Sequence, residues 1–145
     1  TLKVEAHWSI APAESPSGLA IDTKNHRLFA VCDGKKMVVV NSDNGKVVST
    51  VEIGEGPDAA AFDPGTGLAF SSNGQDGNLT VVKRESGDKY SVAQTVETKR
   101  GARTMALDLK THTIYLPSAD YAPAVSGGGR PKILPGTFKL LIVSR

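Results

Sequence analysis

The stretch GLAIDTKNHRLFAVCDGKKMVVVNSDNGKVVSTVEI, Gly18 to Ile53, decides the fold. It reads as four short apolar runs separated by polar turns. Gly18–Ile21 is a first strand, here termed A, and Asp22-Thr23-Lys24-Asn25-His26 turns the chain. Arg27–Val31 is strand B, Cys32–Lys36 connects, and Met37–Val40 is strand C. Ser42-Asp43-Asn44-Gly45 is a hairpin signal, because Asn-Gly tolerates the positive φ of a tight turn. Lys46–Ile53 is strand D, with Val47, Ser49, Val51 and Ile53 expected on one face and Val48, Thr50 and Glu52 on the other.

Moving outward, the unit repeats. Gly18-Leu19-Ala20-Ile21-Asp22 lines up with Ala59-Ala60-Ala61-Phe62-Asp63 and with Thr104-Met105-Ala106-Leu107-Asp108, the aspartates standing 41 and 45 positions apart. A period near 40–45 with strand-like content is the mark of β-propeller blades. The second unit predicts A at Asp58–Phe62, B at Leu68–Ser72, C at Leu79–Val82 and D at Tyr90–Thr98. The third predicts A at Arg103–Leu107, B at Thr113–Leu116 and C at Phe138–Val143, with a long connection over 117–136. Lys3–Ile10 aligns with Lys46–Ile53 and is expected to be the D strand of a preceding blade. The expected fold class is therefore all-β: a β-propeller of four-stranded antiparallel blades. Residues 1–16 are a last strand plus loop, 17–57 and 58–102 are full blades, and 103–145 is a blade without its own fourth strand.

About three blades are too few for a ring, since propellers hold about 4–8. Two partners fit that shortfall: a second copy of this chain arranged head to tail, closing six blades, or a missing propeller half. Strand exchange of this kind also protects sheet edges.

The residues resemble the YVTN-type repeat, including the YncE-like bacterial propellers. That pattern has a small-apolar-Asp strand, a strand ending Tyr-Val-Thr/Ala-Asn, an apolar strand and a Thr-Gly-Lys-Val turn. Leu28-Phe29-Ala30-Val31, Val38-Val39-Val40-Asn41 and Asn44-Gly45-Lys46-Val47-Val48 match it, and Leu68-Ala69-Phe70-Ser71-Ser72-Asn73-Gly74 carries it into the second blade. The resemblance implies a binding or scaffold propeller in the periplasm, secreted or at a surface. It also implies a larger ring, of about seven blades.

Composition narrows the function classes. Hydrophobic residues make up 39% and charged residues 22%, as in a globular chain. No apolar run approaches the ~20 residues that span a membrane. A net charge of +2 and 6% aromatics argue against single-stranded nucleic-acid binding, although the basic loops of the third unit raise it as an alternative. Cys32 is the single cysteine, so no internal disulfide or cysteine zinc cluster can form. His7, His26 and His112 are scattered without ligand spacing, so no metal is expected, and neither is a quinone or other cofactor.

In an up-and-down blade the B–C and D–A connections share one end, which here carries Glu14, Asp33, Glu55, Asp58, Asn73, Asp76, Arg100, Arg103, Asp120 and Arg130. The expected ligand-binding residues are Arg103, Arg100, Asp58, Glu55, Asn73, Tyr121 and Arg130. Arg103 leads them, because it precedes an inner strand and joins Lys99 and Arg100 in a basic cluster suited to a carboxylate or phosphate. Tyr121 offers a stacking face, and Arg130 with Lys132 adds positive charge in the long loop. Asp22, Asp63 and Asp108 repeat at the opposite end, where aspartate caps turns through backbone N–H groups; a structural role is expected. No catalytic residue stands out. The expectation is a non-catalytic binding scaffold recognising a protein or a small anionic ligand. The alternative is an enzyme, lactonase-like or quinoprotein-like, with its site at the channel mouth.

Overall fold

The computed structural model describes residues 1–123 and 131–145. Eleven strands form three antiparallel sheets, and the described residues contain no helix. Sheet one is β1 (Glu14–Asp22), β2 (Arg27–Asp33), β3 (Lys36–Asn41) and β4 (Val47–Glu52), paired in chain order. Sheet two is β5 (Pro57–Asp63), β6 (Leu68–Asn73), β7 (Asn78–Ser86) and β8 (Lys89–Glu97), also in chain order. Sheet three is β9 (Ala106–Asp108), β10 (Thr113–Ser118) and β11 (Lys139–Val143), with β10 in the middle. These are three meander sheets of an incomplete β-propeller.

Period-two alternation sends successive side chains to opposite faces, and the cores follow from it. Phe29 and Val31 of β2, with Met37 and Val39 of β3, face sheet two and pack with Ala69 and Val82, against Ala60, Phe62 and Tyr90. Phe29 stacks on Phe62 with ring centroids 5.3 Å apart and meets Tyr90 edge-on at 5.7 Å. Such pairs add roughly 0.5–1.5 kcal/mol beyond the area they bury. The other face of sheet two gives Phe70, Leu79 and Val81 to a second core with Ala102, Ile114 and Leu116 of the third unit. Gly18 belongs to this packing: a Cβ there would lie 2.7 Å from the Ala60 nitrogen, so the glycine lets β1 press onto β5.

Three details differ from the sequence reading. First, Lys3–Ile10 is not a strand; β1 begins at Glu14. A strand requires a ladder partner, and no strand of sheet one, two or three pairs with that segment. Ile10 instead packs on the outer face of sheet one, beside Ala13, Ala30, Cys32, Val38 and Val40. Second, β4 does not alternate as expected. The register slips between Val39 and Val40, which pair with Ser49 and Val47, leaving Val48 as the extra residue of a bulge. Val48 therefore joins Val51 and Ile53 in the first core, and Val47 turns to the opposite face. Third, β9 is only three residues long, not Arg103–Leu107. By register Thr104 would stand opposite Pro117, which has no N–H to donate.

Candidate functional site

The B–C and D–A connections of all three units gather at one end, as the meander requires. There they line an open cavity of about 980 Å³ whose walls include Ser17, Asp33, Asp58, Gln75, Lys99, Arg100, Arg103, Asp120 and Tyr121. The cavity is built from equivalent positions of the repeat. Ser17, Asp58 and Arg103 each immediately precede the segment aligned on the aspartates, and Asp33, Gly74 and Ala119 form a second equivalent set; all six line the wall.

The backbone shows how two of these side chains are aimed. In β1 the partners run Pro16↔Cys32 then Gly18↔Val31, leaving Ser17 as the extra residue. In β5 they run Pro57↔Asn73 then Ala59↔Ser72, leaving Asp58. The same bulge therefore sits at the same place in both blades, and a bulge re-aims the side chain it carries. Hydrogen bonds fix the neighbouring blades at this end. The Ser17 hydroxyl donates to the Pro57 carbonyl at 2.8 Å, and the Ser72 hydroxyl donates to the Arg103 carbonyl. The Arg103 backbone is thus held by sheet two while its side chain is exposed.

Charge around the cavity is mixed. The Lys99 ammonium pairs with Asp120, and that contact holds the Asp120 carboxyl below the ordinary carboxylate range. Among the described residues Arg100 and Arg103 have no carboxylate, and Asp33 and Asp58 no cation, within ion-pair distance. Tyr121 closes one side. A Cβ on Gly101 would lie 2.5 Å from its ring, and Gly101 has φ +84°, so a glycine serves twice here. An isolated bridge to Ile133 holds Tyr121 in place. The arrangement offers two forked cationic donors, an aromatic wall and two carboxylates on a scaffold of fixed backbone. No group of three His, Cys, Asp or Glu side chains able to hold a metal occurs among the described residues.

Four residues expected at the site line the cavity: Arg103, Arg100, Asp58 and Tyr121. Two do not. Asn73 is fully buried; its amide donates to Asn78 Oδ1 at 2.7 Å and Thr80 Oγ1 at 2.9 Å, and its oxygen accepts from Ser71 at 2.8 Å. That network meets Gly54, whose Cβ would fall 2.4 Å from Asn78 Oδ1, so Asn73 braces β4 against sheet two. Glu55 pairs with Lys35 at 3.1 Å away from the cavity wall, and that bond raises the Lys35 ammonium above its usual range. Arg130 lies outside the described residues. Ser17 and Gln75 are lining residues that motif reading missed. Ser17 is detectable once the repeat is aligned one residue before Gly18, Ala59 and Thr104.

The opposite end is structural. Asp22 Oδ1 accepts from the Lys24 and Asn25 backbone N–H groups, both at 3.1 Å. Asp63 accepts from Gly65 N at 2.9 Å and Thr66 Oγ1 at 2.7 Å, and Asp108 from Lys110 N and Thr111 Oγ1, both at 2.8 Å. His112 Nδ1 also lies 2.8 Å from Asp63 Oδ2, linking the second and third units. Trp8 covers Gly45 and stays 46% exposed. Cys32 is buried, and burial pushes its thiol pKa up.

No family model matches this sequence, and no curated protein matches it. Solved structures do. The hydrazine synthase of Kuenenia stuttgartiensis aligns at TM-score 0.65 and 14% identity, over 81% of this chain and 33% of that one. Sqt1 of Saccharomyces cerevisiae aligns at 0.65 and 12%, over 74% of this chain and 30% of that one. A protein of Bacteroides uniformis assigned as a 6-phosphogluconolactonase aligns at 0.58 and 15%, over 90% and 47%. The chain spans about a third to a half of the length of these propeller-like proteins. At such identities the likeness is one of fold.

Proposed function

We propose that this chain is part of a YVTN-type, YncE-like binding propeller, which uses its loop end to recognise a small anionic ligand or an anionic group on a protein partner. One observation carries the reading. Equivalent positions of three blades converge on one cavity, and two arginines there lack carboxylate partners among the described residues. Guanidinium groups bind carboxylate and phosphate through paired, charge-assisted hydrogen bonds. Asp33 and Asp58 repel an anion that strays from the Arg100–Arg103 side, so they supply selection more than affinity. Recognition of this type needs no bond chemistry. The implied location, from the same resemblance, is the periplasm or beyond.

The test is calorimetric titration with inorganic phosphate, a sugar phosphate and a dicarboxylate. At least one should bind, with affinity falling as salt rises. Arg103→Ala should weaken it by about tenfold or more, a change of roughly 1.4 kcal/mol, and leave the melting temperature unchanged. Absence of binding across the panel, or binding indifferent to both Arg103→Ala and Arg100→Ala, overturns the proposal. Turnover of a lactone at the same mouth would favour the enzymatic reading.

A further inference from the structure

The repeat supplies an internal standard for what covers each face of a blade. Leu19, Ile21, Leu28 and Val40, on the outer face of sheet one, occupy the positions of Ala60, Phe62, Ala69 and Val82 in sheet two. Those four side chains of sheet two pack in the core it shares with sheet one. Yet Leu19 and Ile21 are 63% and 49% exposed. At the other extreme, Ala106, Tyr115, Leu140 and Ile142 of sheet three occupy the positions of Ala61, Phe70, Leu79 and Val81. These four belong to the core between sheets two and three. Leu140 and Ile142 are 57% and 65% exposed. One outer face therefore carries the front half of a blade interface, and the other carries the back half.

The edges complement each other as well. Blade two ends in β8, paired with β7, whereas sheet three has β11 as an edge with no fourth strand among the described residues. Lys3–Ile10 has strand D patterning and no ladder partner. Its Ile10, equivalent to Ile53, already rests on the outer face of sheet one, much as Ile53 rests in the core between sheets one and two. Ile10 thus lies where the last strand of a preceding blade would place its final apolar side chain.

We infer that the outer faces of sheets one and three form a single head-to-tail interface between two copies of this chain, with Lys3–Ile10 of one copy adding to β11 of the other as its fourth strand. The contact is heterologous, and it closes when the second copy returns to the first, giving six blades. Main-chain hydrogen bonds to β11 supply register, and the apolar rows supply burial. Closure also completes the loop-end cavity, because each copy brings its own Ser17, Asp58 and Arg103 to the same mouth. The proposal concerns assembly, so it stands or falls separately from the ligand reading.

The mass of the full chain in solution, by sedimentation or native mass spectrometry, tests it. The expected species has twice the mass of one chain, without larger polymers. Ile142→Lys with Leu140→Lys should convert it to a monomer with unchanged far-ultraviolet circular dichroism, because both side chains are solvent-exposed in the single chain. Leu19→Lys, on the complementary face, should do the same. A monomer at all concentrations, an unbounded series of oligomers, or a dimer that survives both changes overturns the inference.

Discussion

The two ends of these blades are built from the same repeat and have diverged differently. At the A–B turn end, equivalent positions hold the same residue: Asp22, Asp63 and Asp108, each capping its own turn. The position four residues later keeps one backbone conformation, with His26, Gly67 and His112 at φ 57°, 72° and 57°. At the loop end, equivalent positions hold Ser17, Asp58 and Arg103, which share a cavity wall and little chemistry. Sameness marks what every blade needs to turn its chain. Difference marks what the assembled end is free to vary, and only the second can encode a ligand.

The largest expected effect lies at the turn end. Asp63 is 1% exposed and accepts hydrogen bonds from Gly65, Thr66 and His112. Asp63→Ala removes the acceptor of those donors and severs a link between blades. It should cost about 2–3 kcal/mol, since hydrogen bonds to a charged, buried carboxylate are worth roughly 1.5–3 kcal/mol, while the exposed Gly65 and His112 donors regain water. Chemical denaturation would measure this. A cost within about 0.5 kcal/mol of zero would place the capping carboxylates among dispensable surface groups and erase the contrast between the ends.

A smaller effect follows from acid. Burial alone would raise the Asp63 pKa, but the bonds from Thr66, Gly65 and His112 outweigh it and hold the carboxyl below its ordinary range. A carboxyl depressed in the folded state stabilises fully above the unfolded value of about 4. That contribution fades as pH falls through the lower folded value. The melting temperature should therefore decline as pH is lowered below about 4, and Asp63→Asn should flatten that decline. Parallel curves for the two proteins would show that the acid sensitivity resides elsewhere, for instance at Asp108, which bonds to Lys110 and Thr111 also hold low.

How far the sequence led depends on how locally each feature is determined. The strands of sheets one and two were readable because alternation, Asn44-Gly45 and the repeated aspartates are local signals. The capping role of Asp22, Asp63 and Asp108 was legible for the same reason. The burial of Asn73 is not legible in the sequence, because its partners Thr80 and Asn78 lie across a hairpin and only the sheet register brings them together. Nor is the pairing of Glu55, because Lys35 reaches it from the preceding B–C turn, 20 positions earlier. The Val48 bulge and the missing strand at Lys3–Ile10 depend on pairing, which one-dimensional alternation does not contain.

The smallest expected effect sharpens the comparison most. The Arg103 side chain is exposed, while its backbone carbonyl accepts from Ser72, whose hydroxyl also accepts from Ala59 N at 3.2 Å. Position and chemistry are thus separated within one residue: the backbone belongs to the scaffold and the guanidinium to the cavity. Arg103→Ala keeps the carbonyl and removes the guanidinium, so its unfolding free energy should stay within about 0.5 kcal/mol of the parent. Ser72→Ala removes the buried donor and should cost roughly 1–3 kcal/mol. Ser72 sits in β6, fully buried, on the scaffold side of the same contact. If Arg103→Ala destabilised the chain as much as Ser72→Ala, the loop end would be as structural as the turn end. Its divergent residues would then be packing solutions for three different neighbours instead of elements of one binding surface.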